Sequence, residues 1–261
     1  MKAIIAAAGF WTRMLPITKS IPKEMLPVWT KPVIHYIVEA LSNSWLKDVL
    51  MIISNWKEAL QNYFDKNYEL EETLKRKEKF AELDNLQKIK NMANIAFLKQ
   101  KEQLWFAHAI LPAKSCISED YFLLTVGDTI FEEKLFKEIL DIHKQTWKAV
   151  IALKEIPMEE VSKYWVVKIE NWQIIDMVEK PDIDKAPSNL IMVWVYILPR
   201  KIFEIIENLH FDPKTWEYLL PDALREIMKV EEILPYITDT KVYDTWNIKA
   251  WMKANECLAS E

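Results

Sequence analysis

Apolar residues along the chain follow two rhythms. Short apolar runs bounded by polar or turn residues occupy 2–7 (KAIIAA), 47–54 (KDVLMIIS), 94–99 (NIAFLK), 120–126 (DYFLLTV), 148–155 (KAVIALKE) and 190–198 (LIMVWVYIL). Their length and β-branched content predict buried strands. Between them the spacing turns helical, at 31–43 (KPVIHYIVEALSN), 56–64, 103–112, 132–145, 200–208, 217–229 and from about 247 to the end. Residues 66–91 are charged, with Leu70, Leu74, Leu83 and Leu86 as a loose apolar stripe, which predicts a solvated helical insertion with one packed face. Two alternating runs across 164–179 flank Asn171-Trp172 and predict a hairpin, and further strands are expected near 232–243. Strand and helix alternate first, and antiparallel pairs follow. That order predicts an α/β fold: a Rossmann-like, mixed but mostly parallel sheet flanked by helices, with a small antiparallel part. Ligands are then expected at the carboxyl ends of the strands.

Composition changes the picture at one point. The chain has 261 residues, of which 2 are glycine and 12 are tryptophan. Ordinary usage would give roughly 18 glycines in such a length. The tryptophans stand where glycine is wanted. Trp172 occupies the second position of a two-residue hairpin turn, where positive φ is required. Trp45 and Trp147 each follow a helix and precede a strand, the position that favours a left-handed residue. Trp246 lies in a strand-to-helix turn, and Trp11 lies in the first loop. Tryptophan normally serves as a buried anchor with a partner for its N–H. Turn positions do not use it that way. The expectation is that these codons mean glycine in the source organism: UGA is a stop in the standard code, Trp in some variant codes and Gly in others.

Charge and cysteine content exclude several classes. The net charge of −5 gives no basic field, so nucleic acid is not expected as a partner. Two cysteines, Cys116 and Cys257, make no disulfide framework and no metal-type spacing. The apolar start is too short for a leader or a membrane span, so a soluble, cytoplasmic protein is expected.

Four constellations fall at predicted strand ends. AAAGFWTRMLP, followed by PKEMLP, reads as a turn whose bare amides can cradle phosphates, with Arg13 and Lys23 to neutralise charge. It is neither the Walker loop nor the dinucleotide fingerprint. QKEQLWFAHA places Gln100, an amide able to pair with a base edge, between a strand and a helix. Asp128 after LLTVG and Asp244 in VYDTW are carboxylates placed where Mg²⁺ ligands would stand. MVEKP offers Glu179 as an acceptor for hydroxyls. Lys180 beside it would face the other way unless the strand ends there.

Together with SKYWVV, SNLIMVWVYIL and YDTWNIKAW, these stretches resemble the bacterial UTP–glucose-1-phosphate uridylyltransferases of the sugar nucleotidylyltransferase family, from residue 2 to about 255. The resemblance implies one nucleotidyltransferase domain over 1–261, with a nucleotide part at about 1–130, a sugar-phosphate part at about 131–245 and a terminal helix at about 247–259. It implies that Ala8 and Gly9 contact uracil and ribose, that Trp11, Thr12 and Arg13 form the triphosphate loop with Lys23, and that Gln100 reads uracil beside Trp105. Asp128 and Asp244 would hold Mg²⁺, and Trp165, Glu179, Lys180 and Trp194 would bind glucose 1-phosphate. The implied reaction is in-line attack of the sugar phosphate on the α-phosphorus of UTP, with Arg13 and Lys23 as the catalytic cations and no general base. The family habit implies a homo-oligomer. Departures from the pattern are Ala6 for a proline, Ala107 for a glycine, Val195 for an arginine, and Thr125-Val126-Gly127 for a proline-containing approach. They leave a thymidylyltransferase or another sugar nucleotidylyltransferase open. Literal tryptophans would leave an inactive or binding-only protein.

Overall fold

The computed structural model describes residues 1–9, 12–102, 105–209 and 219–260. Its strands are β1 (Ala3–Ala7), β2 (Pro27–Val28), β3 (Lys31–Pro32), β4 (Asp48–Ile53), β5 (Asn94–Lys99), β6 (Tyr121–Val126), β7 (Thr129–Phe131), β8 (Ala149–Glu155), β9 (Trp165–Glu170), β10 (Gln173–Glu179), β11 (Leu190–Pro199), β12 (Ile233–Thr238) and β13 (Val242–Asp244). Its helices are α1 (Val33–Asn43), α2 (Glu58–Phe64), α3 (Tyr68–Arg76), α4 (Phe80–Lys90), α5 (Trp105–Ala109), α6 (Glu133–Thr146), α7 (Ile202–Asn208), α8 (Leu220–Met228) and α9 (Ile248–Ala259).

β1 lies inside the main sheet, parallel to β4 on one side and β6 on the other, with Ala3 opposite both Val49 and Leu123. The chain leaves β1 toward β4 and β5 and returns to β6 on the far side. That reversal is a topological switch point, and it opens a crevice beyond the carboxyl ends of β1 and β6. Alternation along β1 explains the two-sided core. Ala3, Ile5 and Ala7 face a cluster with α1 and α6, while Ile4 and Ala8 face one with α7 and α8.

β11 divides the sheet. Its second half runs antiparallel to β6, with Val195 opposite Thr125. Its first half has left β6 and pairs with β9 through Ile191 and Val166, and β8 follows it along the other edge. Between the halves the register shifts at a bulge from Met192 to Tyr196, and Trp194 there has φ 63°. A residue in the left-handed region is the mark of one bulge class, and it bends the strand. The β9–β10 arm therefore diverges from β6 and forms the second wall of the crevice.

The mixed sheet and the antiparallel arm agree with the pattern of the sequence. The differences are local. Residues 31–32 form β3 rather than the start of α1. The insertion at 66–91 is two helices with Glu78 at φ 56° between them. The helix expected at 103–112 is described only as α5, and the 3-10 turn Leu111–Cys116 follows it. β7 and the β2–β3 pair were not expected. Residues 103–104 and the start of the helix expected at 217–229 lie outside the described residues.

Nine described non-glycine residues have positive φ, and six are tryptophans: Trp29, Trp45, Trp56, Trp147, Trp172 and Trp194. All six are exposed, Trp45 and Trp56 at 86%. Asn171 and Trp172 are both positive, as the expected hairpin turn demands. Trp147 is the left-handed cap of α6, its N–H donating to the His143 carbonyl at 2.7 Å. Gly127 is required for another reason: a Cβ there would lie 2.9 Å from the Ala7 Cβ. Only a bare backbone lets β6 end so close to β1.

Candidate active site

Both central strands end at the crevice. β1 runs into Ala8-Gly9, and β6 runs into Gly127-Asp128. Lys23 sits in a short 3-10 turn, Lys23–Met25, and its Nζ donates to Asp128 Oδ2 at 2.6 Å, with Lys23 buried. Asp244 arrives from far along the chain. β13 pairs antiparallel with β7 and sets Asp244 opposite Thr129, the residue after Asp128. Thr245 fastens the join: its N–H and Oγ1 both donate to the Asp128 carbonyl, at 3.2 and 2.7 Å.

This crowding shows in the charge state of Asp244. Burial pushes its carboxyl up to about 6, and the neighbouring Asp128 charge adds to the shift. Two adjacent carboxylates, both half-buried, make a donor set that a hard divalent cation satisfies. Mg²⁺ takes one or two carboxylates and leaves its other positions for phosphate and water. Among the described residues no group of three or more His, Cys, Asp or Glu gathers for a fuller protein cage. The residues present therefore fit Mg²⁺ held between protein and a phosphate ligand.

Arg13 is exposed at the same mouth, with its guanidinium 5.1 Å from the centre of the Trp246 ring, in the turn after β13. Thr12 is exposed beside it. Trp11 and the side chain of Trp105 lie outside the described residues. Gln100 stands at the carboxyl end of β5, its N–H bonded to the Ile53 carbonyl at 2.9 Å. Its side chain is 5% exposed, and its Nε2 has no partner among the described residues. A buried amide left unpaired costs free energy unless a ligand completes it.

The second wall carries the remaining residues. Trp165 opens β9 and lies opposite Glu179, the last residue of β10. Lys180 then turns left-handed at φ 41°, and its N–H donates to the Tyr164 carbonyl at 2.9 Å. The strand has ended, so Lys180 does not face away: its Nζ lies 3.1 Å from Glu179 Oε1. Trp194 meets Phe106 of α5 edge to face, with ring centres 5.5 Å apart, linking this wall to α5. The Tyr164 phenol is raised from its ordinary value, first by burial and then by the Asp244 charge. The lysine–carboxylate wall and the metal-type pair therefore flank one space.

Four contributors carried no sequence signal. Thr245 reads as a turn residue, and Tyr164 as part of a strand. Phe106 reads as a helix residue. Arg225 of α8 braces the arm by donating to the Met177 carbonyl at 2.6 Å, with its guanidinium 5.7 Å from the centre of the Trp165 ring.

The family model described as Nucleotidyl transferase matches residues 2–261. A Methanocaldococcus jannaschii protein, provisionally named a UTP–glucose-1-phosphate uridylyltransferase, is 40% identical, covering 100% of this chain and 93% of its own. A UTP-bound UGPase from Acinetobacter baumannii superposes with a TM-score of 0.92 at 29% identity, covering 98% of this chain and 92% of that one. A UDP-glucose pyrophosphorylase complexed with UDP-glucose gives a TM-score of 0.87 at 32% identity, covering 99% and 98%.

Proposed function

Since the chain belongs to the nucleotidyl transferase family, we propose that it transfers the uridylyl group of UTP to glucose 1-phosphate, releasing pyrophosphate and forming UDP-glucose. The observation that carries this reading is the Lys23–Asp128 contact at the end of β6 with Asp244 packed beside it. A phosphate oxygen of glucose 1-phosphate bonds to the α-phosphorus of UTP. The bond from that phosphorus to the β-phosphate oxygen breaks, and pyrophosphate leaves with the electron pair. The attacking oxygen is already anionic, so no side chain need remove a proton.

The chain's own groups bind, orient and neutralise. Gln100 pairs its free amide with the uracil edge. The amides of Ala8 and Gly9 approach the nucleoside, and position 11, Thr12 and Arg13 form the loop that meets the triphosphate. Lys23 exchanges its contact with Asp128 for a phosphate oxygen. Asp128 and Asp244 hold Mg²⁺, which when bound neutralises charge on the phosphates. Glu179 accepts from sugar hydroxyls and Lys180 meets the sugar phosphate, beside Trp165 and position 194. Among the described residues no helix is long and apolar enough to cross a membrane. The reading places the protein in the cytoplasm, with its substrates.

The reading includes glycine at the twelve tryptophan positions. Six exposed indoles on left-handed backbone support it, since that region is cheap only for glycine. Trp251 is the counter-case: it lies within α9, and its indole N–H donates to the Pro27 carbonyl at 2.9 Å. A codon reading changes all twelve together, so glycine at 251 loses that bond.

The reaction is tested with a panel of UTP, dTTP, CTP, ATP and GTP against several sugar 1-phosphates. UTP with glucose 1-phosphate is expected to give the highest kcat/KM. A dTTP preference would transfer the assignment to a thymidylyltransferase.

A further inference from the structure

One buried ion pair lies directly behind the site and takes no part in the chemistry above. Glu24 follows Lys23 and is 0% exposed, and Lys57, which precedes α2, is 7% exposed. Lys57 Nζ donates to Glu24 Oε1 at 2.7 Å and to the Ala7 carbonyl at 2.6 Å. Glu24 Oε2 is buried with no partner among the described residues. The Glu24 Cγ lies 3.2 Å from where a Gly127 Cβ would stand, so its side chain fills the gap between the ends of β1 and β6.

These contacts join three pieces of the site. The Ala7 carbonyl is the last of β1, immediately before Ala8-Gly9. Glu24 shares its 3-10 turn with Lys23. Gly127 precedes Asp128, the partner of Lys23. Burial pulls Lys57 down from its ordinary value, and the Glu24 charge opposes that. A buried pair of this kind is poor evidence for stability, because matched apolar residues often do as well. Its worth lies in geometry: two directional bonds fix a carbonyl and a carboxylate relative to each other.

We propose that Glu24 and Lys57 are a positioning pair, which holds the end of β1 and the Lys23 turn in register with Gly127-Asp128 and so sets the turnover of the transfer reaction without touching substrate. The kinetic half of this inference rests on the reaction proposed above.

The test uses Lys57→Arg and the double variant Glu24→Leu with Lys57→Met. The double variant removes both buried charges at once and leaves neither uncompensated, so it is expected to melt near the parent. Its kcat is expected to fall by about tenfold or more while its KM for UTP changes less, the mark of lost positioning. Lys57→Arg keeps a cation and its donors and is expected to recover part of that turnover. Hydrogen exchange without substrate is expected to quicken at 3–9 and 20–28 in the double variant and to stay unchanged in α6. A double variant that folds and turns over at the parental rate overturns the proposal. If the parent itself makes no UDP-glucose, the reaction assignment fails alone, and exchange decides the pair: parental protection at 20–28 overturns it, and lost protection supports it.

Discussion

At Trp45, Trp56 and Trp147 the backbone runs left-handed while the indole stands in solvent. Such a residue has the strain of a bulky side chain and none of the burial that would offset it. Each non-glycine residue in that region costs about 1–2 kcal/mol, so six of them weigh heavily against a typical stability of about 5–15 kcal/mol. Protein isolated from its own source is expected to have an intact mass lower by twelve tryptophan-to-glycine differences, with no indole emission. A mass equal to that of the sequence as written would refute the codon reading. Asp244 makes a second prediction. Its folded carboxyl is raised to about 6 from an ordinary 3.8, so the folded state binds the proton more tightly than the unfolded chain. The stability this contributes is fully present below about pH 4 and is lost as pH rises through about 6. Asp244→Asn never ionises, so its melting temperature should gain on the parent between pH 4 and pH 7, by the equivalent of about 2 kcal/mol. Mg²⁺ should raise the melting temperature of the parent and not of the variant. An equal gain at pH 4 and pH 8 would contradict the burial account. Asp128→Asn should lower turnover by about a hundredfold or more, and should also lower the melting temperature, since it removes the charge that faces buried Lys23. Mg²⁺-dependent turnover near the parental rate would remove Asp128 from the metal site.

At the scale of elements, legibility followed sequence distance. The hairpin at 164–179 was readable because its turn and both strands are adjacent, and Asn171 and Trp172 do take positive φ. The ends of α1 and α6 were readable for the same local reason: Trp45 and Trp147 sit where a helix stops. β7 was hidden. Thr129–Phe131 is too short to show alternation, and it is a strand because β13 pairs with it from far along the chain. That pairing places Asp244 beside Asp128, so the metal-type pair could be suspected from sequence while its closeness could not. The bulge at Trp194 was equally hidden, since it arises where β11 changes partners. Lys57 falls inside the stretch expected as helix, 56–64, with no signal of its own, and only the packed strand ends reveal it as buried. The element-scale prediction contrasts two substitutions in the chain as written. Trp172→Gly relieves the hairpin turn and should stabilise by about 1 kcal/mol. Trp251→Gly weakens α9 and removes a bond to Pro27, and should destabilise by about 1 kcal/mol or more. Chemical denaturation of both measures the signs, and like signs would contradict the assignment of strain to the turn.

Over the whole molecule, one topological fact organises the site. The sheet reverses its order at β1, and β11 parts from β6, so two walls rise from the same strand ends. One wall holds Gln100, Lys23, Asp128 and Asp244. The other holds Trp165, Glu179 and Lys180. On the proposed reading, a nucleotide held by the first wall and a sugar phosphate held by the second would meet between them, and the transfer would need little more than their alignment and the neutralisation of charge. The most direct measurement is a time course of product formation by protein isolated from its own source, supplied with UTP, glucose 1-phosphate and Mg²⁺. The account predicts UDP-glucose and pyrophosphate in equal amounts, and neither when any one of the three is withheld. Pyrophosphate without UDP-glucose, or no product at all from folded protein, would contradict it.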